Sequence, residues 1–362
     1  MKFSAADHGY MAQALRLAER GLLTTAPNPR VGCVLVKDNV VVGEGWHEHA
    51  GGPHAEVHAL IDSGLRARGA TAYVTLEPCC HYGRTPPCTD ALIEAGVARV
   101  VAAMLDPNPL VAGKGLEKLR AAGIETACGL YENSARELNL GFVTRMTLGR
   151  PWVRLKAAAS LDGKTALENG ASQWITGADA RQDGHRWRAR ACAILTGIGT
   201  VRDDDPQLNV RSVETARQPF KVVVDSRLEI PLTARLFDGA PVWVATAQED
   251  VAKEAELKVR GAEVLVLPNV AGKVDLVALL QELGKRGLNE VHVEAGCRLN
   301  GSLLQAGLAD ELLLYLAPCL LGDAARGLFN LPALTSLADR RGLKIQDLRQ
   351  IGGDIRVLAR FQ

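Results

Sequence analysis

His54-Ala55-Glu56 and, further along, Pro78-Cys79 and Cys88 are the residues of this chain best equipped for chemistry. One imidazole and two thiols suit Zn2+, and a set of three protein ligands leaves the fourth position to water, which is the count of a catalytic rather than a structural site. The pattern around them predicts helices opening at His54 and after Cys88, and the partial positive charge of a helix N-terminus stabilises a thiolate. A metal held there brings the pKa of its water toward neutrality. Glu56 stands two residues from His54, near enough to that water to take its proton and pass it to a leaving amine without being a ligand itself.

His-x-Glu followed by Pro-Cys and a second Cys is the signature of zinc deaminases, in which water displaces ammonia from an amidine-like ring carbon. The spacing departs from the common Cys-x-x-Cys, since eight residues separate Cys79 from Cys88. The insert offers Cys80 and His81 as rival ligands, so a closed structural zinc site, with no role for Glu56, stands as the alternative. Cys80 has no assigned role.

A second group lies in the other half of the chain. Gly197-Ile198-Gly199 follows a strand ending at Thr196, but Arg202 holds the third glycine position and Asp203-Asp204-Asp205-Pro206 follows where a helix would be expected, so the Rossmann fingerprint is absent. Glu294-Ala295-Gly296-Cys297-Arg298-Leu299-Asn300-Gly301-Ser302 runs from a strand into a helix start, whose unpaired amides suit a phosphate. Trp174 by itself reads as core, as lone aromatics usually do.

These groups need a scaffold, and 362 residues suggest two domains. A helix is expected from His8 to Gly21 with Asp7 as cap, then a hairpin of Val31–Val36 and Val40–Glu44 joined by Lys37-Asp38-Asn39. Helix then alternates with strand, the pattern of a layered α/β domain. Ser134 to Arg150 reads as a helix leading into a connector at Gly149-Arg150-Pro151. The boundary is placed so that the domains are residues 1–147 and 148–362. In the second, strands are expected at Ala191–Thr196, Lys221–Asp225, Val242–Thr246, Glu263–Leu267 and Glu290–Glu294, with helices at Ala178–Arg188, Asp275–Lys285 and Leu299–Gln305.

A net charge of +1, with 47% hydrophobic and 23% charged residues, is globular composition and offers no field for a polyanion, so a small substrate is expected and no nucleic acid. Neither a signal peptide nor a run of 18 apolar residues occurs, so no membrane contact is expected and the protein reads as cytoplasmic, with reduced thiols. Cys33, Cys128, Cys192, Cys297 and Cys319 are expected to pack in cores.

The run Pro78-Cys79-Cys80-His81-Tyr82-Gly83-Arg84-Thr85-Pro86-Pro87-Cys88, with Pro27-Asn28-Pro29-Arg30-Val31-Gly32 upstream, resembles the deaminase half of the bifunctional riboflavin-biosynthesis deaminase-reductase family, where the longer insert is normal. Lys156–Ala166, Gln173-Trp174-Ile175-Thr176, Gly197–Leu208 and Glu294-Ala295-Gly296 resemble its reductase half. The resemblance implies a cytidine-deaminase-like three-layer domain followed by a dihydrofolate-reductase-like domain. It implies hydrolytic deamination of a diaminopyrimidinone ribosylamino 5-phosphate, then NADPH-dependent reduction of the ribosyl group to ribityl. One Zn2+ per chain would be held by His54, Cys79 and Cys88, with Glu56 as proton shuttle and Asn28 and His47 lining the pyrimidine pocket. Arg84 could meet the substrate phosphate, or be a solvated loop arginine. Lys156, Asp204 and Glu294 match the family's ionisable reductase residues, with Lys156 or a water it orders donating the proton; structural salt-bridging is their alternative. Ser172, Arg188, Leu208, Arg211 and Glu294 would contact substrate. Ala158, Trp174, Thr200, Asp204, Ser226 and Gly296 through Ser302 (Cys297, Arg298, Leu299, Asn300, Gly301) would bind NADPH. A homo-oligomer is expected. Two rivals remain: a nucleic-acid-editing zinc deaminase with an accessory domain, and a non-enzymatic zinc module.

Overall fold

Asp38 and Asn39 take φ of 50° and 62°, the left-handed backbone of a type I′ turn. Strands β1 (Gly32–Lys37) and β2 (Val40–Trp46) therefore pair as the expected antiparallel hairpin. The computed structural model describes residues 3–82, 86–109 and 111–362. They divide into two compact units, Met1–Gly149 and Arg150–Gln362.

In the first unit β3 (Thr71–Val74) pairs antiparallel with β1, and β4 (Arg99–Ala102) and β5 (Glu125–Cys128) follow in parallel, giving the order β2-β1-β3-β4-β5. Helices α1 (Ala5–Glu19) and α2 (Ala55–Ser63) cover opposite faces, and glycines let them come close. A Cβ on Gly32 would lie 2.0 Å from the Ala14 carbonyl of α1, and one on Gly45 would lie 2.4 Å from the Ala55 carbonyl of α2. Successive strand residues face opposite sides, so Gly32 and Cys33, which is the partner of Gly45, send their contacts to different layers. Helices α3 (Cys88–Glu94) and α4 (Lys114–Ala121) join the α2 layer. After β5 come α5 (Glu132–Leu138) and α6 (Leu140–Leu148), where a single helix was expected; Asn139 (φ −118°, ψ 24°) breaks them, and Gly149 closes α6 at φ 70°.

Helix α1 starts earlier than expected because Ser4, not Asp7, is its cap. Asp7 N–H donates to Ser4 Oγ at 3.1 Å and Ser4 N–H donates to Asp7 Oδ2 at 2.8 Å, a reciprocal capping box.

The second unit is built on one sheet in the order β11-β10-β9-β8-β12-β6-β13-β16-β15. In chain order the elements are β6 (Trp152–Ser160), β7 (Lys164–Ala166), α7 (Ala178–Arg190), β8 (Ala193–Gly197), α8 (Ile198–Asp204), β9 (Phe220–Val224) and β10 (Val242–Thr246). There follow α9 (Val251–Val259), β11 (Ala262–Val266), α10 (Leu276–Lys285), β12 (Glu290–Val293), α11 (Cys297–Gln305), β13 (Glu311–Ala317), β14 (Arg326–Gly327), β15 (Leu343–Ile351) and β16 (Asp354–Phe361). Strands β11 through β13 run parallel; β16 and β15 add antiparallel edges. Helix α9 and the short strands β7 and β14 were not expected, and two further outcomes differ from expectation. A short helix, α8, does open at Gly197, because the glycine's extended backbone caps it without a fingerprint. Strands β13, β15 and β16, which periodicity does not mark, complete the sheet.

Beneath β6 an ion cluster is buried: Arg154, 1% exposed, pairs with Glu311 at 2.5 Å and Glu290 at 3.2 Å. Of the lone cysteines, Cys33 and Cys192 are buried as expected, whereas Cys128 and Cys297 are half-buried and Cys319 is exposed. The three exceptions stand at the end of β5, at the first residue of α11 and in the loop after β13, where one side of the residue faces away from the core.

Candidate active sites of the two units

His54 is the N-cap of α2, in extended backbone, and makes no capping bond with its side chain. Cys88 is the first residue of α3, and Cys79 follows β3. Their ligand atoms all lie within 4.8 Å of one another. His54 Nδ1 stands 3.2 Å from Cys88 Sγ and 3.6 Å from Cys79 Sγ, and the Cys88 N–H donates to Cys79 Sγ at 3.3 Å. The two thiols share a proton unequally: hydrogen bonding from Cys88 pulls Cys79 down to about 4, while the same bond and burial raise Cys88. A soft donor set of two sulfurs and one nitrogen, Cys88 buried and His54 and Cys79 half-buried, fits zinc. Among the described residues neither Cys80 nor His81 belongs to the group, which removes the two rival ligands of a closed site. Burial raises Cys80, and the Glu77 charge adds to it.

Glu56, in the first turn of α2, is 4% exposed and within hydrogen-bonding reach of Cys88. Burial raises its carboxyl against the opposing pull of His54, as a group that must carry a proton requires. His47 Nδ1 meets the Pro53 carbonyl at 2.9 Å, so its proton sits there. Its Nε2 then accepts from Asn28 Nδ2 at 3.0 Å, and burial keeps the ring neutral by lowering its pKa. Arg84 lies outside the described residues.

Glu77 went unread in the sequence. It is 2% exposed, and its carboxylate accepts the backbone N–H groups of Asp106 (3.1 Å), Gly113 (2.8 Å) and Leu116 (3.1 Å), tying the β4–α4 loop and the start of α4 to the segment that carries Cys79. An acidic residue three positions beyond an apolar strand was its only signal.

In the second unit the carboxyl ends of β6, β8 and β12 meet at the point where the strand order reverses, the usual crevice of an open α/β sheet. Glu294 follows β12 and binds Arg188 of α7 through two bonds, 2.5 and 2.8 Å. Burial alone would raise Glu294, but Arg188, then the His292 hydrogen bond and Lys156, hold it well below the usual carboxylate range. Lys156 is lowered, first by burial and then by Arg188, with Glu294 opposing. Arg188 also donates to the Asn209 carbonyl at 3.0 Å, and Arg211 Nη1 donates to Asn209 Oδ1 at 2.6 Å. Leu208, between them, is buried at φ 48°. His185, also unread, accepts the Arg211 N–H at 3.4 Å; burial, with the charges of Arg188 and Arg211, pushes it down to about 4.

Ala158 lies two residues beyond Lys156 on β6, hence on the same face. Gly296 caps α11, so the amides not used within the helix are those of Cys297, Arg298 and Leu299, whereas the Asn300 N–H already donates to the Gly296 carbonyl. Asn300 and Gly301 are buried, and Ser302 Oγ donates to the Arg298 carbonyl at 3.0 Å. Trp174 is 70% exposed under the Arg181 guanidinium at 4.7 Å, so it is not core. Thr200 is half-buried in α8, and Ser172 half-buried before α7. Ser226 Oγ accepts the Val274 N–H at 3.1 Å. Asp204 ends α8 as an exposed residue, though partial desolvation of its carboxyl, and then the Asp203 charge, raise it; among the described residues no hydrogen bond or ion pair joins it to Lys156 or Glu294.

The family described as "RibD C-terminal domain" matches residues 151–357, and that described as "Cytidine and deoxycytidylate deaminase zinc-binding region" matches residues 4–104. The riboflavin biosynthesis protein RibD of Escherichia coli is 52% identical over 96% of this chain and 98% of its own length. The chain belongs to the RibD family. Acinetobacter baumannii RibD superposes with a TM-score of 0.92 at 48% identity, covering 99% of each chain. A deaminase/reductase of Thermotoga maritima does so at 0.87 and 35%, again over 99% of each. As a member of that family, the chain is a bifunctional enzyme of riboflavin biosynthesis, a zinc-dependent pyrimidine deaminase joined to an NADPH-dependent reductase, with small-molecule substrates. The nucleic-acid-editing alternative is not favoured, since the second unit is the RibD reductase domain. Among the described residues no helix is long and apolar enough to cross a membrane.

Proposed function

We propose that residues 1–147 form the deaminase domain and 148–362 the reductase domain, with the residue roles that follow. Zinc, when bound by His54, Cys79 and Cys88, supplies the Lewis acidity that makes water a nucleophile near neutral pH. Glu56 takes a proton from the attacking water and returns it to the departing ammonia, and its burial keeps the proton from leaking to solvent. Asn28 holds the pyrimidine, with His47 orienting its amide, and Arg84 meets the phosphate.

NADPH, when bound, supplies the hydride. The first-turn amides of α11 hold its phosphates, with Ala158, Trp174, Thr200, Asp204, Ser226 and the Gly296–Ser302 segment around it. Lys156 delivers the proton that completes the reduction; Glu294 keeps Lys156 and Arg188 in place. Ser172, Arg188, Leu208 and Arg211 contact the substrate, the arginines matching its phosphate. The eight free cysteines support a cytoplasmic setting. Exposed Leu343, Ile345 and Leu348 on the edge strand β15 support a homo-oligomer.

The observation carrying this reading is the group of three ligand atoms with a buried carboxyl two residues from the imidazole, in the first turn of α2. It is tested by supplying the diaminopyrimidinone phosphate and following ammonia and NADPH together. Glu56→Gln should keep zinc and abolish ammonia release; undiminished release would refute the shuttle.

A further inference from the structure

The Pro27-Asn28-Pro29-Arg30 segment sets Asn28 against His47, whose ring lies 5.4 Å from that of His54, yet what fixes its backbone comes from far along the chain. Arg30 is 6% exposed. Its N–H donates to Asn139 Oδ1 at 2.7 Å, and Asn139 Nδ2 donates back to the Arg30 carbonyl at 3.0 Å. One side-chain amide thereby satisfies both backbone groups of a residue, as a neighbouring strand would. The remaining Asn139 amide hydrogen goes to the Ala135 carbonyl at 3.3 Å. The Arg30 guanidinium reaches the same corner, donating to the carbonyls of Leu138 at 2.8 Å and Leu22 at 3.4 Å.

Asn139 has little freedom of its own. It is 1% exposed at the break between α5 and α6, its N–H bonded to the Arg136 carbonyl at 3.0 Å and its carbonyl to the Val143 N–H at 2.9 Å. From Arg30 the constraint passes directly to the pocket. The next carbonyl, that of Val31, accepts the His47 N–H at 2.9 Å; His47 Nε2 accepts from Asn28, and the Asn28 N–H donates to the Thr25 carbonyl at 2.8 Å. The Asn28 amide is thus held from both its backbone and its side chain, with its nitrogen committed to His47.

We infer that Asn139 is a positioning residue for deamination, clamping Arg30 so that Asn28, its amide oriented by His47, presents a fixed group to the pyrimidine. The inference rests on the reading of Asn28 as a substrate contact. It gives α5 and α6 a part in the deaminase site, although the match to the zinc-binding region ends at residue 104. An amide is needed at 139 because a carboxylate accepts from Arg30 but cannot donate to its carbonyl, and Leu does neither.

The test compares N139D, N139L, N28A and the double variant N28A/N139D in the full-length zinc enzyme, measuring KM and kcat for ammonia release from the diaminopyrimidinone ribosylamino phosphate. Zinc content and NADPH-dependent reduction of the deaminated product are read on the same preparations. Losing one or two buried hydrogen bonds at the clamp should raise KM about tenfold in N139D, with kcat within about twofold, zinc retained and reduction unchanged. The double variant should have the KM of N28A alone, because a residue acting only through Asn28 has nothing left to position. Multiplying effects in the double variant, or zinc loss in both Asn139 variants, would make Asn139 a general scaffold residue and overturn the proposal. N28A raising KM while N139D and N139L leave it unchanged overturns the clamp alone. An unchanged KM in N28A overturns the reading of Asn28 and the clamp with it.

Discussion

Replacing Gly45 by Ala tests whether the hairpin sets the position of the catalytic helix. The new Cβ would stand 2.4 Å from the Ala55 carbonyl oxygen, 2.5 Å from the Ala59 nitrogen and 2.6 Å from His58 Cβ, against the 3.4 Å at which ordinary contact begins. All three atoms belong to α2, two of them to its backbone, so no side chain can simply swing away. Helix and strand must separate by about 1 Å, an overpacking expected to cost roughly 1–3 kcal/mol. Because His54 caps α2 and Glu56 lies in its first turn, the same shift moves a ligand and the proton carrier together, and misplacement of about 1 Å lowers rates by about 100-fold. Ammonia release at saturating substrate should fall by that factor while NADPH-dependent reduction of the deaminated product, measured on the same preparation, is unchanged. Gly9→Ala is the control, since nothing lies within 4 Å of a Cβ at that helical position, and it should be neutral or slightly stabilising. Wild-type ammonia release and melting temperature in Gly45→Ala would show that this contact does not fix α2.

Lys156→Ala should reduce NADPH oxidation sharply and leave ammonia release untouched; full turnover would remove its proton-delivery role. Arg154→Ala leaves the carboxylates of Glu290 and Glu311 buried at 1% and 2% exposure without their shared partner, so the second unit should lose about 3–5 kcal/mol in urea unfolding. His185 is held down to about 4, mainly by burial, so the folded state resists a proton that the unfolded chain accepts near 6.5. Its contribution is intact above about 6.5 and is lost as pH falls toward 4. The urea midpoint should therefore drop less between pH 7.5 and 4.5 in His185→Gln than in the wild type, and parallel drops would contradict this. Glu56→Gln, in the same set of measurements, should stop ammonia release while zinc content stays at the wild-type value.

Short-range features were legible in the chain itself. His54, Glu56, Cys79 and Cys88 declare themselves because helix starts bring nearby residues to one point, and Asp38-Asn39 because few residues accept left-handed backbone in sequence. The branched runs of β8 to β12 mark parallel strands buried on both faces, which need no alternation to be recognised. Other features had no local mark. Asp7 looks like a cap until Ser4 is seen to exchange hydrogen bonds with it, and β15 has a residue pattern that gains meaning only beside β16. Whether Cys80 and His81 would join the ligands depends on the path of the insert rather than on its composition. Glu77 under the β4–α4 loop, Arg188 against Glu294, and Asn139 against Arg30 are partnerships between residues tens to more than a hundred positions apart. The sequence alone determined which groups could bind zinc and move a proton, because that chemistry resides in residue types a few positions apart. Only the tertiary structure decided which buried polar groups hold those residues still, because a buried donor or acceptor is satisfied by whatever lies next to it in space.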